Sequence, residues 1–154
     1  MPERAGSPFK HGEADASPGF LLWKLTALWQ RRLGEVLGEF AITQTQYAIL
    51  ASLRWFEERG EPPTQAHLVE HAKIDKMTLS KAIRKLEDEG LLARETAAAD
   101  SRAMSVRFTP RGRRLVQRAV VAIERADDEF FGALGERALA DYKALTLRLV
   151  AGNE

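Results

Sequence analysis

Residues 64–109, TQAHLVEHAKIDKMTLSKAIRKLEDEGLLARETAAADSRAMSVRFT, hold two short helical patterns, a tight turn between them and two strand-like runs after them. Thr64 is placed to cap a helix that runs to about Ala72, with Leu68, Val69 and Ala72 on its inward face. After Lys73-Ile74, Asp75 is placed to cap the next helix. Leu79, Ala82, Ile83 and Leu86 mark its buried stripe, and Gly90 ends it. Residues 91–96 and 103–108 read as paired strands around an alanine-rich tip that contains Asp100-Ser101-Arg102. Helix, turn, helix and hairpin in this order predict a mainly α fold with a small β element.

The flanks are helical. From 19 to about 37, Leu21, Leu22, Leu25, Leu28, Trp29, Leu33, Val36 and Leu37 recur at helical spacing, with Lys24, Arg31, Arg32 and Glu35 between them. Thr43 followed by Gln46 has the form of a capping box, and Tyr47, Leu50, Ala51 and Leu53 continue that helix until Gly60 and Pro62-Pro63 stop it. Thr109-Pro110 restarts a helix that runs to about 131, because threonine caps and proline suits the first helical position. A last helix covers roughly 136–150. Residues 1–18 are polar and expected to be a flexible tail. Residues 19–154 are expected to form one domain, with a central module over about 44–109 and long helices over about 19–38 and 110–150.

Length and composition agree: 154 residues, 45% of them hydrophobic, suffice for one core. The net charge of +1 conceals an asymmetry. Eleven basic and five acidic residues lie between Lys76 and Arg118, so that segment carries +6 and the remainder −5. A concentrated positive surface on a near-neutral protein suits a polyanionic partner. The absence of cysteine excludes disulfides, thiolate metal sites and thiol-based oxidation sensing for this chain. No apolar run reaches the roughly 20 residues that a bilayer requires, and no signal-like segment opens the chain. A soluble, cytoplasmic protein with no membrane partner is expected.

The helix after Asp75 carries the chemistry. Opposite its buried stripe stand Met77, Lys81, Arg84 and Lys85, with Thr78 and Ser80 at the margins and Lys76 at the start. Duplex DNA offers partners to each: guanine edges and phosphates to the cations, base edges to the hydroxyls, and thymine methyl groups to the methionine. A cationic helix face is commonly only a solvated face. Here a short preceding helix, a tight turn and a hairpin bearing Arg94, Arg102 and Arg107 form a connected set that solvation does not require. At the hairpin tip Asp100 and Arg102 are spaced to pair across the turn and hold the guanidinium toward a narrow minor groove.

Taken together, Met77-Thr78-Leu79-Ser80, Leu86-Glu87-Asp88-Glu89-Gly90-Leu91, Asp100-Ser101-Arg102 and Phe108-Thr109-Pro110-Arg111-Gly112 resemble the MarR family of bacterial transcriptional regulators. The resemblance extends to Gln46-Tyr47-Ala48-Ile49-Leu50 and covers most of the chain after Gly19. It implies a winged helix-turn-helix with long N- and C-terminal dimerisation helices. It also implies a two-fold homodimer on a pseudo-palindromic operator, probed by Thr78, Ser80 and Lys81 at the bases and Arg102 in the minor groove. Repression is the implied direction, with release by a small effector bound between the DNA-binding lobe and the dimer helices. Nearby tryptophans and arginines point to a small anionic aromatic. Two departures stand out. The tip is alanine-rich at Ala97, Ala98 and Ala99, which leaves groove contact resting on Arg102, and the cysteine of the family's oxidation sensors is missing.

The terminal helices bring more apolar surface than a small winged module buries. Leu21, Trp23, Leu25, Trp29, Val116, Val120, Ile123, Phe130, Phe131, Tyr142, Leu145 and Leu149 are expected to serve dimerisation, the alternative being that they fold back on their own core. His67 and His71, four apart with Glu70 nearby, lack a third ligand and read as a polar helix face, so no metal and no cofactor is expected. Trp23, Trp29 and Trp55 read as core rather than as a ligand pocket. No nucleophile triad, phosphate-binding loop or carboxylate pair stands out, so no enzymatic step is expected. The competing assignment is a winged-helix module that binds DNA nonspecifically or binds protein.

Overall fold

A computed structural model describes the backbone of residues 6–60, 62–97 and 100–154, and the side chains of these residues except 97–103. Six α-helices and one hairpin follow in the order α1 (Pro18–Gly38), α2 (Gln44–Glu57), α3 (Gln65–Ala72), α4 (Lys76–Asp88), β1 (Leu92–Ala97), β2 (Asp100–Phe108), α5 (Pro110–Phe130) and α6 (Glu136–Asn153).

The expected start signals operate. Thr43 caps α2 in a capping box with Gln46, Asp75 accepts from the Thr78 N–H at the start of α4, and Thr109 accepts from the Gly112 N–H at the start of α5. At α3 the box is closed by an imidazole: Thr64 accepts from the His67 N–H, and His67 Nδ1 accepts from the Thr64 N–H at 3.2 Å. Lys73 ends α3 in the left-handed region, φ 55° and ψ 39°, and so makes the tight turn into α4.

Gly90, at φ 75°, ends α4. The Leu91 N–H reaches Leu86 O and the Gly90 N–H reaches Glu87 O, both at 2.9 Å. This is the paired carbonyl closure that a left-handed glycine allows, and buried Leu86 and Leu91 supply the apolar contact that accompanies it.

The core lies where the short helices, the hairpin and α5 meet. Ile49, Leu50 and Leu53 of α2, Leu68 of α3, and Leu79, Ile83 and Leu86 of α4 close on Leu92, Val106 and Phe108 of the hairpin and on Val116, Ala119 and Ile123 of α5. Tyr47 of α2 joins its edge. Burial first, and the carboxylates of Glu124 and Asp127 second, push its hydroxyl up to about 12, so it stays neutral. The hairpin is antiparallel, with Leu92 opposite Phe108, and a bridge from Thr64 to Ser105 ties it to the start of α3.

Several expectations need correction. β2 begins at Asp100 rather than near 103, so Asp100-Ser101-Arg102 lies within the strand and not at the hairpin tip. Val116 and Ile123 are buried in the chain's own core and Val120 packs against it, because their face of α5 covers the winged module. Phe130 meets Trp29 edge-on at 5.2 Å and Tyr142 lies beside Phe131 at 5.1 Å, within the same chain. Trp23 and Trp55 are not core, at 76% and 41% exposed. Trp23 lies near the start of α1, next to exposed Leu21 and Leu22. Trp55, near the end of α2, stacks at the surface on His71 and under the Arg59 guanidinium.

Candidate nucleic-acid interface

The exposed side of α4 is assembled by its buried one. With Leu79, Ile83 and Leu86 fully enclosed, helical periodicity turns Met77, Lys81, Arg84 and Lys85 outward. All four are exposed, as is Lys76, and Met77 reaches 83%. Among the described residues no carboxylate lies within ion-pair distance of Lys76, Lys81, Arg84 or Lys85. Three unpaired cations and a bare thioether therefore share one face of a 13-residue helix, with Lys76 unpaired at its start; the helix is about 20 Å long and slim enough for a major groove about 12 Å wide.

The hydroxyls at the margins have internal partners. Thr78 donates to Asp75 Oδ2 at 2.6 Å while its N–H donates to Oδ1 at 2.9 Å. These two bonds, the side-chain one first, hold the Asp75 carboxyl below its ordinary range. The cap is thus a stable anion at the start of the helix that carries the cations. Ser80 is half-buried and accepts from Gln65 Nε2 at 3.1 Å. Sequence reasoning passed over Gln65, since a polar residue in a first helical turn carries no signal of what it touches across the next turn.

Arg94 differs from the expectation that it faces a groove. Glu87 accepts from its backbone N–H at 3.2 Å, from Nε at 3.3 Å and from an Nη at 3.0 Å, so the guanidinium is held within the module. The hydrogen bonds from Arg94 hold the Glu87 carboxyl below its ordinary range. Arg107 on β2 pairs with Glu95 at 3.3 Å. The side chains of Asp100 and Arg102 lie outside the described residues.

His67 spends Nδ1 on the helix cap, and both it and His71 lie against the Phe56 ring. Among the described residues no group of three potential ligands gathers around them. A cleft of about 460 Å³ opens beside the start of α5, lined by Phe108, Pro110, Arg113, Arg114 and Gln117. Arg113 is paired with Glu57 at 2.9 Å, whereas Arg114 has no carboxylate partner among the described residues. No helix among them is long and apolar enough to cross a membrane.

A helix-turn-helix whose second helix shows an unpaired cationic face, backed by a two-stranded hairpin, defines a winged-helix DNA-binding regulator. The model of the ArnR1-like winged-helix domain matches residues 38–125. The chain is 35% identical to the HTH-type transcriptional regulator YdcH of Bacillus subtilis, over 80% of its own length and 84% of that protein. It is 27% identical to the HTH-type transcriptional repressor Rv2887 of Mycobacterium tuberculosis, over 90% and 97%. It superposes on Bordetella bronchiseptica BpsR, whose structure addresses regulation of DNA binding by 6-hydroxynicotinic acid, with a TM-score of 0.76 and 25% identity, over 86% and 97% of the two chains. The chain belongs to the MarR family of transcriptional regulators, and its relatives are DNA-binding proteins rather than enzymes.

Proposed function

We propose that the protein is a repressor that binds a pseudo-palindromic operator as a homodimer and reads it with the exposed face of α4. The observation that carries this is the cation set on that face, which has no carboxylate partner among the described residues. Lys81, near the first half of α4, supplies base discrimination together with Met77, Thr78 and Ser80. Lys76, Arg84 and Lys85 bind phosphate, and Asp100 and Arg102 at the start of β2 address the minor groove. Arg94 acts indirectly, by fixing the hairpin to α4 through Glu87.

The dimer is supported by the ends of the chain. Leu21, Leu22 and Trp23 on α1 and Leu145, Leu147 and Leu149 on α6 are all at least 45% exposed, and α6 has no buried residue. Large apolar side chains left uncovered on two helices mark an association site, and a two-fold axis would set two α4 helices about one turn of DNA apart. Leu25, half-buried on α1, would complete the surface, while Phe130 and Tyr142 support it from behind.

The cleft beside α5 supports release by a small anionic aromatic: Phe108 and Pro110 give it an apolar part, Arg114 a guanidinium without a carboxylate partner among the described residues, and its volume lies in the range of ligand sites. The relative BpsR responds to a molecule of that class. Such a ligand acts only if it binds one spacing of the two α4 helices better than another.

The test is selection of duplexes from a random pool, followed by titration at several salt concentrations. A symmetric enriched site that is preferred at fixed ionic strength, and lost on Lys81→Ala without loss of fold, is the expected result. Binding that falls with salt but shows no sequence preference would replace this reading with a nonspecific module. A Leu145→Asp/Leu149→Asp chain should sediment as a monomer, and a native chain that does so at micromolar concentration would refute the dimer.

A further inference from the structure

Three consecutive carbonyls in the segment just after α4 are taken by residues at the start of α5. The Arg111 guanidinium donates to Glu89 O at 2.7 Å, the Thr109 hydroxyl to Gly90 O at 2.6 Å, and the Thr109 N–H to Leu91 O at 3.1 Å. The carbonyls of Leu86 and Glu87 are closed within the turn itself by the Leu91 and Gly90 N–H groups, and those of Glu89, Gly90 and Leu91, which follow the helix, are satisfied from the start of α5. Gly112 permits the approach, because a Cβ there would overlap the Leu91 carbonyl. From the other side, Glu87 grips β1 through Arg94. The N-terminal half of α4 is held to α2 and α3 by the buried Leu79 and by the hydrogen bond from Gln65 to Ser80, so the helix and the module behind it move as one.

We propose that Thr109, Arg111 and Gly112 are positioning residues for DNA recognition, joining α4 and the start of α5 into one rigid lever. The angle at which the face of α4 meets a groove then follows α5. This rests on the role proposed for α4 above. A 10° rotation of a lever about 20 Å long moves its far end by about 3.5 Å, one base-pair step. Small changes in how α5 sits are thereby converted into a different preferred distance between half-sites.

The absence of native cysteine allows a direct test. Spin labels on Met77→Cys of α4 and Glu124→Cys of α5, both exposed positions, report the angle of the lever in labelled protein diluted with unlabelled chain. The native joint and Arg111→Lys should give one narrow distance distribution. Arg111→Ala should broaden it at least twofold. So should Thr109→Asp, which keeps an acceptor for the Gly112 N–H but loses the donor to Gly90 O. An unchanged width in Arg111→Ala would overturn the proposal, whether or not Thr109→Asp folds.

A second arm uses the duplex enriched by the native protein, with its half-site spacing altered by one base pair. The native chain should discriminate about tenfold, and Arg111→Ala should fall within threefold while its salt dependence stays the same. A merely structural role would lower the melting temperature and leave the spacing preference intact, which would also overturn the proposal. Should the native protein enrich no duplex, the operator reading fails, and the label distances still decide the joint.

Discussion

Alanine at an exposed helical glycine ordinarily stabilises by up to about 1 kcal/mol, but at Gly112 the sign should reverse. The added Cβ would overlap the Leu91 carbonyl oxygen and lie 2.8 Å from its carbon, both backbone atoms that no rotamer change can move. Relief requires α5 and the segment after α4 to separate by about 1 Å, a displacement that erases close packing. Overpacking of this kind costs about 1–3 kcal/mol. The same movement weakens the hydrogen bonds from Thr109 and Arg111 to Gly90 O and Glu89 O, each worth about 0.5–1.5 kcal/mol. Set against the gain in helix propensity, the net loss for Gly112→Ala is about 2–3 kcal/mol. Urea denaturation at one fixed protein concentration, so that association does not enter, should show a lowered midpoint with an unchanged slope. A variant as stable as the native chain would show that α5 does not approach Leu91 this closely and would remove the basis of the joint.

Arg94→Ala should cost about 1 kcal/mol at neutral pH, since the pair with Glu87 is partly solvated. Glu87 has its folded-state value depressed, so its contribution is full above the ordinary carboxylate range and is lost as pH falls through the lower folded value. The gap between variant and native chain should close in acid, and a gap that persists there would show the ion pair to be irrelevant. At Lys73, whose φ is 55°, valine should cost about 1–2 kcal/mol and glycine should be close to neutral. Equal stability of the two by thermal melting would argue against a left-handed turn. α6 has no buried residue, and most helical stability in proteins comes from packing of an apolar face rather than from intrinsic propensity. Far-UV circular dichroism should therefore lose helical signal as dilution dissociates the dimer, and a signal that holds through dissociation seen by sedimentation would contradict that dependence.

Local chemistry made the fold legible. Thr43, Thr64, Asp75 and Thr109 announce helix starts because a short oxygen-bearing side chain can satisfy the first N–H groups without help from distant residues, and Gly90 announces a stop for an equally local reason. The outward face of α4 followed from periodicity alone. What the sequence hid depends on partners far along the chain. Nothing near Arg94 distinguishes an arginine gripping Glu87 from one facing solvent, and nothing near Val116 or Ile123 distinguishes a face turned to the chain's own core from one turned to another subunit. The start of β2 was misplaced because alanines have no decided preference between strand and turn.

The misplacement of Val116 and Ile123 has a physical origin in α5. α5 turns Val116, Ala119 and Ile123 into the winged module, while Val121 remains 58% exposed on an otherwise charged outward side. Sequence periodicity reports how much of a helix avoids water and is silent on which neighbour provides the cover. The same helix also grips the end of α4 through Thr109 and Arg111. Substitutions on the outward side of α5 therefore bear on two properties through one rigid element: how tightly two chains associate, and how far apart their α4 helices stand. For that reason association and spacing preference should change together when Val121 is altered, and association should remain when Arg111 is.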